Sequence, residues 1–139
     1  MTKLILGVIA LGALALAGNA WAHARVSPPV ALAKQSTVFT LAVPTEKSGA
    51  TTQIEFTPPA GFSIDSFVPS PGWKRTVQQT GSGDAATITK VTWSGGNVPT
   101  GEDAAFSFLA QPASAKTYTP GACGSGSARC RLRRWASVT

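Results

Sequence analysis

The stretch Ala104-Ala105-Phe106-Ser107-Phe108-Leu109-Ala110 indicates how this chain folds. Successive side chains of a β-strand point to opposite faces, so Phe106, Phe108 and Ala110 would share one face and Ser107 the other. This alternation is typical of a strand with one face in a core and one at the surface. The stretch therefore predicts a strand in a two-layered β-structure.

Similar segments occur along the chain and are separated by turn residues. In Val91-Thr92-Trp93 the valine and the tryptophan share a face, with Thr92 opposite. Strands are predicted near Ser36–Val43, Thr51–Thr57, Ser63–Phe67, Lys74–Thr80, Ala86–Trp93 and Ala104–Ala110. Proline- and glycine-rich clusters stand between them, and no segment after residue 23 keeps a helical period. The pattern predicts an all-β fold, either a sandwich or a barrel. Of the two we expect an Ig-like or cupredoxin-like antiparallel β-sandwich of about seven strands, with Trp73 and Trp93 at least partly buried.

The N-terminal segment predicts export from the cytoplasm. Lys3 provides a positive charge, and Leu4–Ala17 is almost wholly apolar. That run suits a signal peptide and is shorter than the roughly 20 residues of a membrane span. Small residues flank Trp21 in an A-x-A cleavage pattern. Residues 1–22 are predicted to be a signal peptide cleaved after Ala22, giving a secreted or cell-envelope protein; an uncleaved anchor is the alternative.

Cleavage after Ala22 would make His23 the first residue of the mature chain, and His23 is the only histidine in the sequence. An N-terminal histidine offers its α-amine and its imidazole as two nitrogen ligands of one chelate ring, which suits a tetragonal copper(II) site. The α-amine has a reference pKa of about 7.7–8.0, so a metal can displace its proton near neutral pH. The alternative is a histidine that follows a cleavage site by chance.

The formal net charge of +6 is concentrated near the C-terminus. Between residues 23 and 119 seven basic side chains are balanced by six acidic ones, whereas the last eleven residues carry Arg129, Arg131, Arg133 and Arg134. Because the body of the domain is nearly neutral, the charge does not indicate a nucleic-acid partner.

A set of motifs follows His23 in a fixed order. They are Val26-Ser27-Pro28, Ile54-Glu55-Phe56-Thr57-Pro58-Pro59-Ala60-Gly61-Phe62, Pro71-Gly72-Trp73, Val91-Thr92-Trp93-Ser94-Gly95-Gly96, and Pro99-Thr100-Gly101-Glu102 leading to Phe106-Ser107-Phe108. In this order the sequence resembles the YcnI-like copper-binding domain of exported bacterial proteins. The resemblance covers about residues 23–119.

The resemblance implies a β-sandwich that binds one copper(II) through a mono-histidine brace, with a glutamate carboxylate as a further ligand and a tryptophan near the metal. His23 matches the brace histidine. Glu102, in the Pro-Thr-Gly-Glu turn, is the predicted carboxylate, although Glu102 and Asp103 could equally be solvated turn residues. Trp135 is the predicted tryptophan, because it follows Lys116-Thr117-Tyr118-Thr119 at roughly the family's distance.

Residues 120–139 depart from the family pattern. Glycine, serine, cysteine and arginine replace the earlier alternation, and the expected strands are missing from the sequence pattern. One interpretation is a flexible basic tail. We favour a change of coding frame that replaced the last strands, because a sandwich lacking a strand exposes an unpaired edge. Cys123 and Cys130 could form a disulfide or a copper(I) site, or be incidental.

These features predict an exported copper(II) chaperone or store of copper homeostasis, not an enzyme. Its partners would be the copper ion and copper-transport or copper-chaperone proteins of the cell envelope. The alternative is an Ig-like extracellular interaction module without metal. A copper-dependent oxidative enzyme such as a polysaccharide monooxygenase would need a second histidine to complete the brace, and the chain has none.

We expect the mature protein to begin at His23, because the cleavage pattern ends at Ala22. N-terminal sequencing and intact mass of the exported product check this. A start at any other residue would contradict the brace, since His23 would then lack a free α-amine.

Overall fold

A computed structural model describes the backbone of residues 22–46, 48–118, 121–124, 130–132 and 135–138, and the side chains of 24–46 and 48–118. Most of the predicted signal peptide, residues 1–21, lies outside these ranges. Within the described residues no helix has the length and apolar character needed to cross a membrane.

The described chain is built almost entirely of β-strands, as the alternation predicted. In chain order they are β1 (Ala22–Ser27), β2 (Val30–Leu32), β3 (Thr37–Pro44), β4 (Thr51–Thr57), β5 (Phe62–Phe67), β6 (Lys74–Thr80), β7 (Thr87–Val98), β8 (Asp103–Pro112), β9 (Thr117–Tyr118), β10 (Gly121–Gly124), β11 (Cys130–Leu132) and β12 (Trp135–Val138). One 3₁₀ turn, Gly83–Ala85, precedes β7.

The strands form two main sheets and a small one. The first main sheet has the order β11-β1-β3-β8-β5, the second β10-β4-β7-β6, and the small sheet β2-β12-β9. The pairings are antiparallel except for β1 with β11 and β2 with β12, which are parallel. The predicted antiparallel β-sandwich is therefore confirmed.

Aromatic side chains from β8 join the two main sheets. Phe106 stacks on Trp93 of β7 with ring centroids 4.3 Å apart, and Phe108 lies 5.3 Å from Phe56 of β4. All four rings are almost fully buried. Ser107 is less buried than either neighbour, so the alternation predicted for β8 is confirmed.

Trp73 extends this aromatic core toward one edge. Its ring meets Phe106 edge-on at 5.0 Å, and it packs against the core while staying partly exposed. The predicted burial of Trp73 and Trp93 is confirmed. Both residues pack as part of the core.

The six strands predicted from sequence are all present, with ends shifted by a few residues. The prediction of about seven strands was wrong, because six further strands, β1, β2, β9, β10, β11 and β12, are present in the described residues. Three of them, β10, β11 and β12, lie in the C-terminal stretch that was predicted to lack strands. There β10 pairs with β4, β11 with β1, and β12 with β2 and β9, so partner strands supply the pairing.

Gly96→Ala should destabilise the fold. A Cβ at Gly96 would overlap the six-membered ring of Trp73, so this ring, which packs edge-on against Phe106, would have to shift. We expect a loss of about 1–3 kcal/mol in the free energy of unfolding, as for other overpacked sites. Gly49→Ala is the matched control, since its Cβ would meet no atom within 4 Å. Chemical denaturation monitored by tryptophan fluorescence measures both, and equal stabilities would contradict this packing.

Candidate metal centre

The predicted carboxylate, Glu102, lies in a tight turn at the start of β8. The amide of Glu102 donates to the carbonyl of Pro99 (3.2 Å), which closes a four-residue β-turn. Gly101, the third residue, has φ +89°, which side chains other than glycine rarely adopt. The Pro-Thr-Gly-Glu sequence therefore encodes the turn locally, and the Glu102 side chain is exposed at its end.

Strand register brings His23 to the same end of the sandwich as this turn. Pro44, the last residue of β3, lies opposite Asp103, the first residue of β8. β1 is antiparallel to β3, with Arg25 opposite Ala42, so the chain two residues before Arg25 lies toward the end of β3. The backbone of His23 is paired on its other side with Arg131 of β11. Its side chain lies outside the described residues.

An ion pair connects β1 and β8 across β3 near this end. Arg25 Nη2 lies 3.5 Å from Asp103 Oδ2, although β1 and β8 are not neighbours in the sheet. Both side chains are largely exposed, so the pair adds little to stability. It does show that a side chain from β1 reaches the residue next to Glu102.

Glu46, which was not predicted as a ligand, follows β3 at the same end. The amide of Thr45 donates to the carbonyl of Glu102 (2.9 Å), which places the residue after Thr45 close to the turn. The Glu46 side chain is exposed. The signal available in the sequence was a glutamate soon after a predicted strand end, in Val43-Pro44-Thr45-Glu46. Three carboxylates, those of Glu46, Glu102 and Asp103, thus gather at the end where β1 begins.

These carboxylates do not form a preassembled metal site by themselves. Among residues 24–46 and 48–118, whose side chains are described, no three histidine, cysteine, aspartate or glutamate side chains lie close enough to hold a metal. A centre here would need a ligand from outside these residues, and His23 is the predicted one. An amine, an imidazole and one carboxylate form a nitrogen and oxygen donor set, which fits tetragonal copper(II).

Trp135 is not brought to this end. Its backbone lies opposite Tyr118 in the small sheet. The Tyr118 hydroxyl donates to the carbonyl of Gly61, next to Phe62, and Phe62 pairs with Pro112 at the far end of β8. β8 begins at Asp103 and ends at Pro112. The backbone of Trp135 therefore lies toward the Pro112 end of β8, whereas Glu102 lies at the Asp103 end.

The two cysteines also fall on strands. Cys123 lies opposite Glu55 in the pairing of β10 with β4, and Cys130 lies opposite Ala22 in the pairing of β11 with β1. Their side chains lie outside the described residues, so a disulfide, a copper(I) site and two incidental cysteines stay open alternatives.

Comparison with solved structures agrees with the sandwich. An uncharacterized protein from Nocardia farcinica, described as having an immunoglobulin-like fold, is 25% identical with a TM-score of 0.57, over 82% of each chain. A non-cellulosomal cohesin from the archaeon Archaeoglobus fulgidus has a TM-score of 0.55 at 10% identity, over 86% of this chain and 93% of the cohesin. The second likeness shows the fold alone.

Sequence comparison provides the family. The copper-binding protein CutI of Bacillus subtilis (strain 168) is 30% identical over 92 residues, which are 65% of this chain and 43% of CutI. The chain thus spans less than half the length of that relative. The family described as a domain of unknown function, DUF1775, matches residues 23–120. The protein belongs to this DUF1775 family, and the YcnI-like resemblance is confirmed.

Proposed function

We propose that this protein is an exported copper(II)-binding protein, a chaperone or store of copper homeostasis, and that it holds the metal with a brace formed by His23. The observation that carries the proposal is the register that puts β1 and the turn of Glu102 at one end of the sandwich. The family match begins at residue 23, the residue that predicted cleavage would expose. The relative CutI is named a copper-binding protein.

In this proposal His23 supplies the α-amine and the imidazole, and a carboxylate from the turn supplies an oxygen. A carboxylate also offsets part of the charge of a divalent ion. Bound copper would offer a tetragonal centre suited to holding copper(II). The exposure of Glu46, Glu102 and Asp103 would leave the site open at the surface, as transfer to an envelope partner requires.

Copper(II) affinity should depend on the free α-amine as well as on the imidazole. One extra residue before His23 keeps the ring and removes the amine from the chelate, whereas His23→Ala keeps an amine and removes the ring. Each should weaken binding by more than about 100-fold, since groups outside the ligand set alone are worth about 10–100-fold. Binding should also weaken as pH falls from about 8 to about 5, because protons occupy the same nitrogen lone pairs.

Competition titration against a copper(II) chelator measures these affinities on protein whose N-terminus has been verified. Equal affinity of the extended and processed proteins would show that the brace is wrong. If processed protein binds no copper(II) at all, the metal-free Ig-like interaction module replaces the proposal. Copper-dependent oxidation of a polysaccharide in the presence of a reductant would instead support the oxidative enzyme.

Neutralising the carboxylate ligand should have a smaller effect than losing a nitrogen. We expect Glu102→Gln to weaken copper(II) binding by about tenfold, because it removes one charge and one oxygen donor while sparing the nitrogen pair. Glu46→Gln and Asp103→Asn test the other two carboxylates at this end. Asp84→Asn is the charge-matched control in the exposed turn before β7. If Glu46→Gln or Asp103→Asn weakens copper(II) binding and Glu102→Gln does not, the carboxylate ligand is that other residue instead of Glu102.

Trp135→Phe tests the predicted tryptophan. Because Trp135 is tied to the other end of β8, we expect the copper(II) affinity and the electron paramagnetic resonance spectrum to stay unchanged. A changed spectrum would place Trp135 near the metal, as its position in the sequence predicted.

A further inference from the structure

A buried pair of hydroxyl groups lies behind the candidate centre. Thr45 and Thr51 are each only 4% exposed, and they are the buried polar residues among the described side chains. The hydroxyl of Thr45 donates to Oγ1 of Thr51 at 2.8 Å. Thr45 follows β3 in the first sheet and Thr51 begins β4 in the second, so this bond joins the two sheets. Buried hydroxyls are costly when unpaired, so the pair resists separation.

The backbone of Thr45 makes two hydrogen bonds to the turn of Glu102. The amide of Thr45 donates to the carbonyl of Glu102, and the carbonyl of Thr45 accepts from the amide of Gly101, both at 2.9 Å. Thr51 in turn lies opposite Val98, which directly precedes the turn. The hydroxyl pair and the two backbone bonds therefore fix the chain on both sides of residues 99–102.

We propose that Thr45 is a positioning residue for the metal centre. Its buried bond to Thr51 fixes the Thr45 backbone, and that backbone holds the turn that presents the carboxylate of Glu102 to copper(II). This inference rests on the proposed function and deepens it. In this proposal Thr45 acts through Glu102, because its backbone adds two hydrogen bonds to the turn beside the one that Glu102 itself makes to Pro99.

A part-buried hydroxyl bond within the first sheet provides the control. Thr40 of β3 shares a 2.8 Å hydroxyl bond with Ser107 of β8. Thr40→Val removes a hydroxyl bond between β3 and β8 in mid-strand, four residues along β8 from Asp103. Thr45→Val makes the same chemical change beside the turn. Thr45→Ser keeps the hydroxyl and removes only a methyl group.

The experiment compares Thr45→Val, Thr45→Ser and Thr40→Val by copper(II) competition titration and electron paramagnetic resonance, with thermal unfolding measured in parallel. We expect Thr45→Val to weaken copper(II) binding by about fivefold to tenfold, the effect of losing one hydrogen bond, and to alter the copper spectrum. Thr45→Ser and Thr40→Val should keep the affinity and spectrum of the unmodified protein. In a Glu102→Gln background, Thr45→Val should cause no further loss, because both changes act on one ligand.

A measurement without metal tests the same linkage. Amide hydrogen exchange at Gly101 should be faster in Thr45→Val than in Thr40→Val, because the carbonyl that accepts this amide is no longer fixed. If Thr45→Val does not fold, Thr51→Val removes the other hydroxyl and gives the same comparison.

The outcomes separate the two proposals. If the unmodified protein binds copper(II) but Thr45→Val and Thr40→Val behave alike, the positioning role of Thr45 is wrong and the proposed function stands. The positioning role is also wrong if Thr45→Val loses as much affinity in the Glu102→Gln background as in the unmodified protein. Failure of the unmodified protein to bind copper(II) overturns both proposals.

Discussion

The inward face of β8 is the constraint on which the rest of the sandwich depends. Phe106 and Phe108 lie in one sheet and contact Trp93 and Phe56 of the other. A slip of one residue would turn both rings to solvent, so burial of these rings fixes the register of β8 strongly. Because the register is fixed, Asp103 must lie opposite Pro44, and the turn of Glu102 must fall at the end where β1 begins. Packing in the core thus determines the position of a residue at the surface.

Much of the fold could be predicted because its signal is local. Alternation within β8 and β7 identifies strands whose side chains face a core, and glycine and proline clusters mark their ends. Of the strands that were missed, β1 does alternate, with Ala24 and Val26 buried and Arg25 and Ser27 exposed, whereas β10 lacks such a signal. The segment Gly121–Gly124 has no alternating pattern, yet it pairs with β4 from Ile54 to Thr57. Strand formation there depends on a partner distant in sequence, which no local pattern reveals.

The candidate site likewise has one part that the local sequence predicts and other parts that depend on contacts distant in sequence. The turn of Glu102 was predictable, since Gly101 supplies the positive φ within the motif itself. Glu46 was missed because long-range contacts bring it to the turn, namely the pairing of Pro44 with Asp103 and the hydrogen bonds of Thr45 to residues 101 and 102. Trp135 was predicted from its distance along the sequence, and because its side chain lies outside the described residues its place near the metal stays a prediction. Its pairing with Tyr118 ties it to the other end of β8.

The arrangement of β1, β3 and β8 explains how an N-terminal residue can share a metal with a turn. A free N-terminus loses considerable conformational entropy when it binds a ligand, and pairing of β1 on both sides removes much of that freedom beforehand. Neighbouring strands lie about 4.8 Å apart, so the backbones of β1 and β8 are separated by roughly twice that distance across β3. The contact of Arg25 with Asp103 shows that side chains bridge this gap without strand movement. β3 is therefore a fixed spacer between the two elements that carry the proposed ligands, and Thr45, just after its end, is hydrogen-bonded to the turn of Glu102.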